Sequence, residues 1–561
     1  LNNALSLEEA EARVTNSNGD VTTMSKDQMI EEKQFKEYGR FYYFALEGLD
    51  IGSTIEFYYT LAVNPSYNGS RRVLSEDIPV YNCHFRLVAP EFLVFTFLEL
   101  NGLGKMELDT TDTLHNHWHG YTPYVPAVEE EVYSFVTPYK PAYYYKLDEN
   151  TSTSKKGISK FSWAAQNVYA NVYSEWGKSE QKNAEKISKS LGLKKMDDEE
   201  KIKALDLHIK STYFLSDGID PSLSKPATIF QIEQGSEIGL TRMYANWLKQ
   251  LGIKHRIVLT CDRTNQHFDR KYESYSYLQE YLIYFPAYKT YLSPTDRLFR
   301  YGMAAPELMG TNGMFIREIE VGGIKSGIPT IQSIKGLDYT RSIDSTVYEI
   351  TLKDMADPRV KSYKSLTGYE ASYIHGNMEL YSDEQRKEIC ETYVKNIRDD
   401  EELISLEVHN EEYKYVGDYP LIFMGEIKYP NLVSMAGENY LIHIGAVIGQ
   451  QVEMYQEKDR KLPIEMLYNH GYDRTIILHI PEGYKIENPE VLEINHAYEI
   501  DGEEVMAFTS SIDIQEDKLI YKNIEYYNVL YLDKEHFEGF KTVINAAADF
   551  NKATLILTPE K

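Results

Sequence analysis

Cysteine is scarce in this chain. Three occur in 561 residues, Cys83, Cys261 and Cys390, far apart and without a Cys-x-x-Cys spacing. They supply neither a disulfide framework nor a thiolate metal site, and buried free thiols are the expectation. Basic residues are also short: 59 Lys and Arg stand against 86 Asp and Glu, a net charge of -27 with a pI near 5.0. Neutralising a phosphate backbone takes clustered Lys and Arg, and no such stripe is present, which excludes a nucleic-acid partner. No run approaches the ~18 apolar residues of a membrane helix, so no transmembrane segment is expected. The sequence starts at Leu1, with no initiator Met and no charged-then-apolar leader, as a processed or trimmed chain would.

The abundant residue is tyrosine, with 47 copies against 21 Phe and 4 Trp. Aromatics fit a pleated, half-buried surface, so tyrosine-lined sheets are the plain reading; exposed tyrosines that stack on sugars or anchor peptides are the functional one. Hydrophobic residues make up 42% and charged residues 26%, the balance of a globular chain. At this length several domains are expected.

Residues 1 to about 170 read as β, with FYYFAL (41–46), TIEFYYTLAV (54–63) and HFRLVAPEFLVFTFLEL (84–100) punctuated by turn formers. ENTSTSKKGIS (149–159) reads as an exposed loop. The pattern then changes. In KIKALDLHIKSTYF, Ile202, Leu205, Ile209 and Tyr213 share a helical face, with Asp197 or Asp198 as the cap. A second helix begins at Ser236, buries Leu240, Met243, Trp247 and Leu251, and closes at Gly252. HRIVLT (255–260) and YLQEYLIYF (277–285) follow as strands, giving a compact α+β unit. Beyond about 315 the β pattern returns, interrupted by one helix over 382–400 with Ile389, Tyr393 and Ile397 on a face; TIILHIPEGYKIENPEV (475–491) and KATLILTPEK end the chain as strands. No internal repeat is present.

The order of these segments resembles bacterial transglutaminase-like proteins, in which a papain-related core sits between two β domains of unknown function. The stretches that carry the resemblance are ALEGLDIGSTIEFYYTLAV and Pro126-Ala127-Val128-Glu129-Glu130 before the core. Within it come DDEEKIKALDLHIKSTYF, QGSEIGLTRMYANWLKQLGIKHRIVL and LQEYLIYFPAYKTYLSPTD; after it come DRKLPIEM and IPEGYKIENPEV. The resemblance implies a multidomain α+β fold: an N-terminal β-sandwich-like domain over 1–172 lacking strands usual upstream, a core over 173–315, and a β-rich domain over 316–561. It also implies a catalytic Cys-His-Asp triad. Here the cysteine position falls on Ser236, the histidine position on Glu280 and the aspartate position on Ser293.

Those residue types remove the chemistry. A helix N-terminus favours a thiolate, but a serine hydroxyl needs a base in contact. A carboxylate is a weak base and lacks the two-ended geometry of imidazole. Loss of a triad nucleophile or base costs ~10⁶ in turnover, and an oxyanion hole with binding alone retains ~10³–10⁴. The expectation is therefore a pseudoenzyme with no cofactor and no metal, binding a polypeptide or other cell-envelope ligand, exported to a bacterial periplasm or outer surface. Two other readings stay open: a serine-dependent peptidase or acyl transferase using Ser236, and a glycan-binding surface protein. Gly-Ser-Glu is also an ordinary helix cap with an acidic first turn, and Glu280 could be an exposed strand residue. A relocated site from Cys261, His267 and Asp269, with Asp296 near Ser293, is a further alternative, although Cys261 lies at a strand end. Finally, in HNHWHG (115–120) a strand would align His115, His117 and His119 on one face, where three imidazoles suit zinc; a solvated, aromatic-flanked loop is the preferred expectation.

Overall fold

The structure is a computed structural model and describes residues 4–32, 41–43, 45–64, 69–218, 220–395, 401–455 and 459–560. It is a multidomain α+β chain with eight α-helices among the described residues. By contacts it divides into two units, residues 1–70 and 71–561.

In the first unit, Val21–Ser25, Ala4–Thr15 and Thr54–Val63 form an antiparallel sheet in that order. Along Ala4–Thr15 the side chains alternate, Ala10, Ala12 and Val14 being buried and Glu11 and Arg13 exposed.

The second unit begins with two sheets joined by aromatic side chains. Val80–Pro90, His115–Val125 and Glu107–Asp109 form one; Leu93–Leu100, Ala142–Asn150 and Lys155–Lys156 belong to the other. Trp118 of the first meets Phe95 edge-on at 5.7 Å and Phe97 at 5.8 Å, while Phe85 stacks on Tyr143 at 5.1 Å.

Five helices follow: α1 (Phe161–Val172), α2 (Lys178–Ser190), α3 (Asp198–Thr212), α4 (Pro226–Ile232) and α5 (Glu237–Gln250). They pack on a five-stranded antiparallel sheet ordered Thr290–Leu292, Glu280–Phe285, Arg256–Thr260, Thr311–Val321, Ile324–Ile334. α5 forms as its pattern demands, with Leu240, Met243, Tyr244 and Trp247 buried in one cluster with Ile257, Leu259, Ile283 and Met314 of the sheet. Each such side chain contributes ~1.5–3 kcal/mol of burial. α1 lies close to the sheet edge because Gly327 has no Cβ; one there would stand 2.7 Å from Ala165 O and Tyr169 Cβ.

Beyond residue 340 an eight-stranded sheet dominates. Its order is Glu402–His409, Leu421–Lys428, Arg359–Leu366, Ile343–Thr351, His470–His479, Lys518–Tyr527, Glu503–Ile514, Asn495–Ile500, and only the Ile343–Thr351/His470–His479 pairing is parallel. α7 (Asp383–Val394) and α8 (Phe537–Asn551) cover one face, with Tyr393 stacked on Phe423 at 4.8 Å and Phe550 on Tyr521 at 4.4 Å. On the other face Tyr363, Met424 and Ile524 are exposed. The short α6 (Gly368–His375) precedes α7.

Two sequence expectations change here. The helix expected over 382–400 runs over Asp383–Val394, capped by a reciprocal Ser382–Gln385 box, and Ile397 lies outside the described residues. HNHWHG is a strand and not a loop. It is the middle strand of its sheet, with Trp118 buried between the outward histidines, so its polar alternation is the solvent face of a paired strand.

Candidate functional site

Ser236 has extended backbone (φ -70°, ψ 163°) and caps α5, its Oγ accepting the Gly239 N–H at 3.3 Å. Its own N–H donates to Leu223 O at 3.0 Å. The approach to the helix is fixed by a short parallel pairing of Phe214–Leu215 with Gln234–Gly235. Gly239 permits a tight fit, since a Cβ there would stand 2.5 Å from Leu223 O.

Behind the cap, one buried carboxylate ties the unit together. Asp206 of α3, fully buried, accepts from Arg300 Nε at 2.6 Å, Tyr244 OH of α5 at 2.9 Å and the Tyr301 N–H at 2.9 Å, with Lys210 Nζ 3.0 Å away. Burial raises its pKa, but Lys210 and Arg300 outweigh that and hold it below the ordinary carboxylate value.

The front of α5 is acidic. Glu237 in its first turn is pushed up to about 7 by burial and then by Glu280, against the Tyr281 N–H, which lowers it. Glu280 begins the Glu280–Phe285 strand opposite Thr260, and its carboxyl is raised by burial, then by Asp262 and Asp296. Asp296 is raised by burial and accepts the Leu298 N–H at 2.8 Å. Glu307 is raised by burial and by Asp262, Asp296 and Glu280. Glu237, Glu280, Asp296 and Glu307 are thus all held above the ordinary carboxylate value, first by burial and, for Glu237, Glu280 and Glu307, then by neighbouring carboxylates.

Of the three positions named from the sequence, Glu280 acts on Glu237, the residue after Ser236. Ser293 is buried and accepts the Ala305 N–H at 3.2 Å. The carboxylate that acts on Glu280 from this turn is Asp296, three residues on.

The other candidates do not assemble. Cys261 is fully buried, its Sγ 3.7 Å from Gln266 O, and its thiol is pushed up to about 12 by burial and then by Asp262 and Glu280. His267 is half-exposed and faces Glu465 Oε1 at 3.9 Å and the edge of Tyr139. Asp269 accepts the Lys271 N–H at 2.7 Å. In the strand 115–125, Asp112 Oδ2 lies 3.1 Å from both His115 Nδ1 and His117 Nε2, while His119 Nε2 meets His84 Nδ1 at 3.0 Å. The histidines are thus taken up in pairs. Among the described residues no three of His, Cys, Asp and Glu are placed to hold a metal ion.

Sequence reading missed Glu237, Asp262 and Glu307. Glu237 was visible only as an acidic first-turn residue, and Asp262, just past the Arg256–Thr260 strand, and Glu307, in the turn Pro306–Leu308, are coupled to Glu280 only through the fold.

Comparison with known proteins adds three findings. Residues 443–557 match the family model of a Domain of Unknown Function with solved structure, DUF3858. A crystal structure described as that of a putative protease from Parabacteroides distasonis ATCC 8503 is similar in fold, with a TM-score of 0.57 at 12% identity over 98% of this chain and 89% of that one. No curated protein matches this chain.

Proposed function

We propose that the unit built around α5 is a transglutaminase-like, papain-related core that has lost hydrolysis and acyl transfer, and that the chain acts by holding a polypeptide or another envelope ligand. The observation that carries this reading is the surroundings of Ser236. Its hydroxyl accepts the Gly239 N–H as a helix cap, and the groups that act on the neighbouring first turn are carboxyls. Among the described residues no imidazole is hydrogen-bonded to that hydroxyl, and a serine without a base in contact cannot pass its proton to a leaving group. The fold likeness to a protein described as a putative protease supports a scaffold of that general kind.

The test is restoration. The triple variant Ser236→Cys, Glu280→His, Ser293→Asp should acquire a thiol that reacts rapidly with iodoacetamide at pH 7, because a helix N-terminus and an adjacent imidazolium both favour thiolate. A folded triple variant whose thiol reacts no faster than free cysteine sinks the assignment of these positions.

One observation favours a second reading. Glu237, pushed up to about 7 by burial and then by Glu280, is about half protonated at neutral pH, within the range of the acid member of a water-activating carboxyl pair. In a peptide-library assay, turnover abolished by Glu237→Gln but kept by Ser236→Ala selects that reading. Loss in Ser236→Ala alone selects a serine nucleophile.

A further inference from the structure

A polar cavity, of about 240 Å³, lies on the eight-stranded sheet beneath α8. Four adjacent strands aim charged side chains at it. The register sets Lys364 beside Thr346, Thr346 beside Arg474, Asp344 beside Tyr472 and Tyr472 beside Glu525, so all share the face that α8 covers. Lys364 Nζ pairs with Asp344 Oδ2 at 3.2 Å, and Arg474 Nη1 with Glu525 Oε2 at 2.6 Å. Arg474 and Glu525 are 7% and 3% exposed. The opposite wall is mixed, with Ile448, Ile544 and Ala547 beside Gln450, Gln451 and the exposed Val452.

These pairs are costly to keep as structure alone, since apolar residues of similar volume commonly serve a core as well or better. They are also half used. A carboxylate has about four acceptor sites. Among the described residues, Asp344 fills its sites from Lys364 and Thr346 Oγ1, and Glu525 from Arg474 and Tyr527 OH. Of the ammonium's three donors and the guanidinium's five, Lys364 gives one to Asp344, and Arg474 gives its Nη1 to Glu525 and Asn523. Donors and acceptors of both charge signs remain directed at an open volume.

The occupant follows from the balance. Within the lining two cations and two anions cancel, and the neighbouring Glu370 is pushed up to about 7 by burial and then by Asp344, so a ligand of net charge would be buried without compensation. A molecule carrying both an ammonium and a carboxylate meets both pairs at once, and Ile448, Ile544 and Ala547 offer contact to a short aliphatic side chain. The volume, roughly that of eight waters, suits one small molecule. The geometry points to a binding site for a free α-amino acid with an apolar side chain, its carboxylate on Lys364 and Arg474 and its ammonium on Asp344 and Glu525. This site is on another sheet from α5 and stands whether or not the reading of Ser236 does.

Isothermal titration of the full chain with L-leucine, 4-methylpentanoate and 3-methylbutylamine tests it without any variant. Leucine should bind, and each half-molecule should bind about 10-fold or more weakly, the ratio expected for losing one charged hydrogen-bond partner. Lys364→Gln should lower leucine affinity by a similar factor; this side chain is partly exposed, and the ligand series still decides if the variant fails to fold. Equal binding of leucine and 4-methylpentanoate would overturn the proposal in favour of a plain anion site. Absence of heat with all three, or only ordered water in the cavity of a leucine-soaked crystal, would overturn it outright.

Discussion

Replacing Glu237 by glutamine should make the protein more stable at pH 8 and leave it unchanged at pH 4. Glu237 is pushed from an ordinary value of 4.5 up to about 7, by burial and then by Glu280. In the unfolded chain the carboxyl ionises near its ordinary value. Between about pH 4.5 and 7 the folded protein therefore holds a proton that the unfolded one has released, and stability falls as pH rises through that window. Above it the full cost is present: at 1.36 kcal/mol per pH unit, roughly 3 kcal/mol as a ceiling. Glutamine keeps an acceptor for the Tyr281 N–H and carries no charge, so Glu237→Gln should recover about 2–3 kcal/mol at pH 8 and about nothing below pH 4.5. Urea unfolding followed by tryptophan fluorescence is a suitable assay. Three of the four tryptophans report on this unit, Trp163 on α1, Trp176 beside α2 and Trp247 on α5. Equal stabilisation at both pH values, or destabilisation at pH 8, would refute the acidic crowding at the start of α5.

Three further outcomes follow from the same geometry. Asp206→Asn should cost about 3–5 kcal/mol, because it strands the buried Arg300 and Lys210 charges, and the urea midpoint reads this directly. All three cysteines are buried, so native protein should react with Ellman's reagent at well under one equivalent and release all three thiols only in denaturant; Cys261, with its thiol pushed up to about 12, should react last. Ser236→Ala should cost about 1 kcal/mol as a lost helix cap and leave peptide turnover where it was in the parent protein.

Much of the helical unit was legible in its sequence because the signals are local. Asp197 caps α3 through a reciprocal box with Glu200, and Ile202, Leu205 and Ile209 take the buried face that their spacing marks. Ser236 caps α5, and Gly252 follows it with a positive φ of 74°. Part of what failed was non-local. HNHWHG looked like a solvated loop because imidazoles are polar, yet ladders on both sides make it a central strand. α8 was not anticipated although its signal is local, since Phe537, Phe540, Ile544, Ala547 and Phe550 recur at helical spacing and alanine favours a helix. Ser236 reads as a helix cap and Glu280 as a strand residue, and both lie so in the fold. The pull of Asp262, Asp296 and Glu307 on Glu280 and on one another could not be read, since it depends on which strand ends the sheet brings together.

The most direct measurement is to treat the folded protein at pH 7 with a fluorophosphonate probe and find the modified peptides by mass spectrometry. If no base serves the hydroxyl that caps α5, the Ser236 peptide stays unmodified under conditions that label an active serine hydrolase completely. Stoichiometric phosphonylation of Ser236 would contradict this and establish a working nucleophile at the head of the helix.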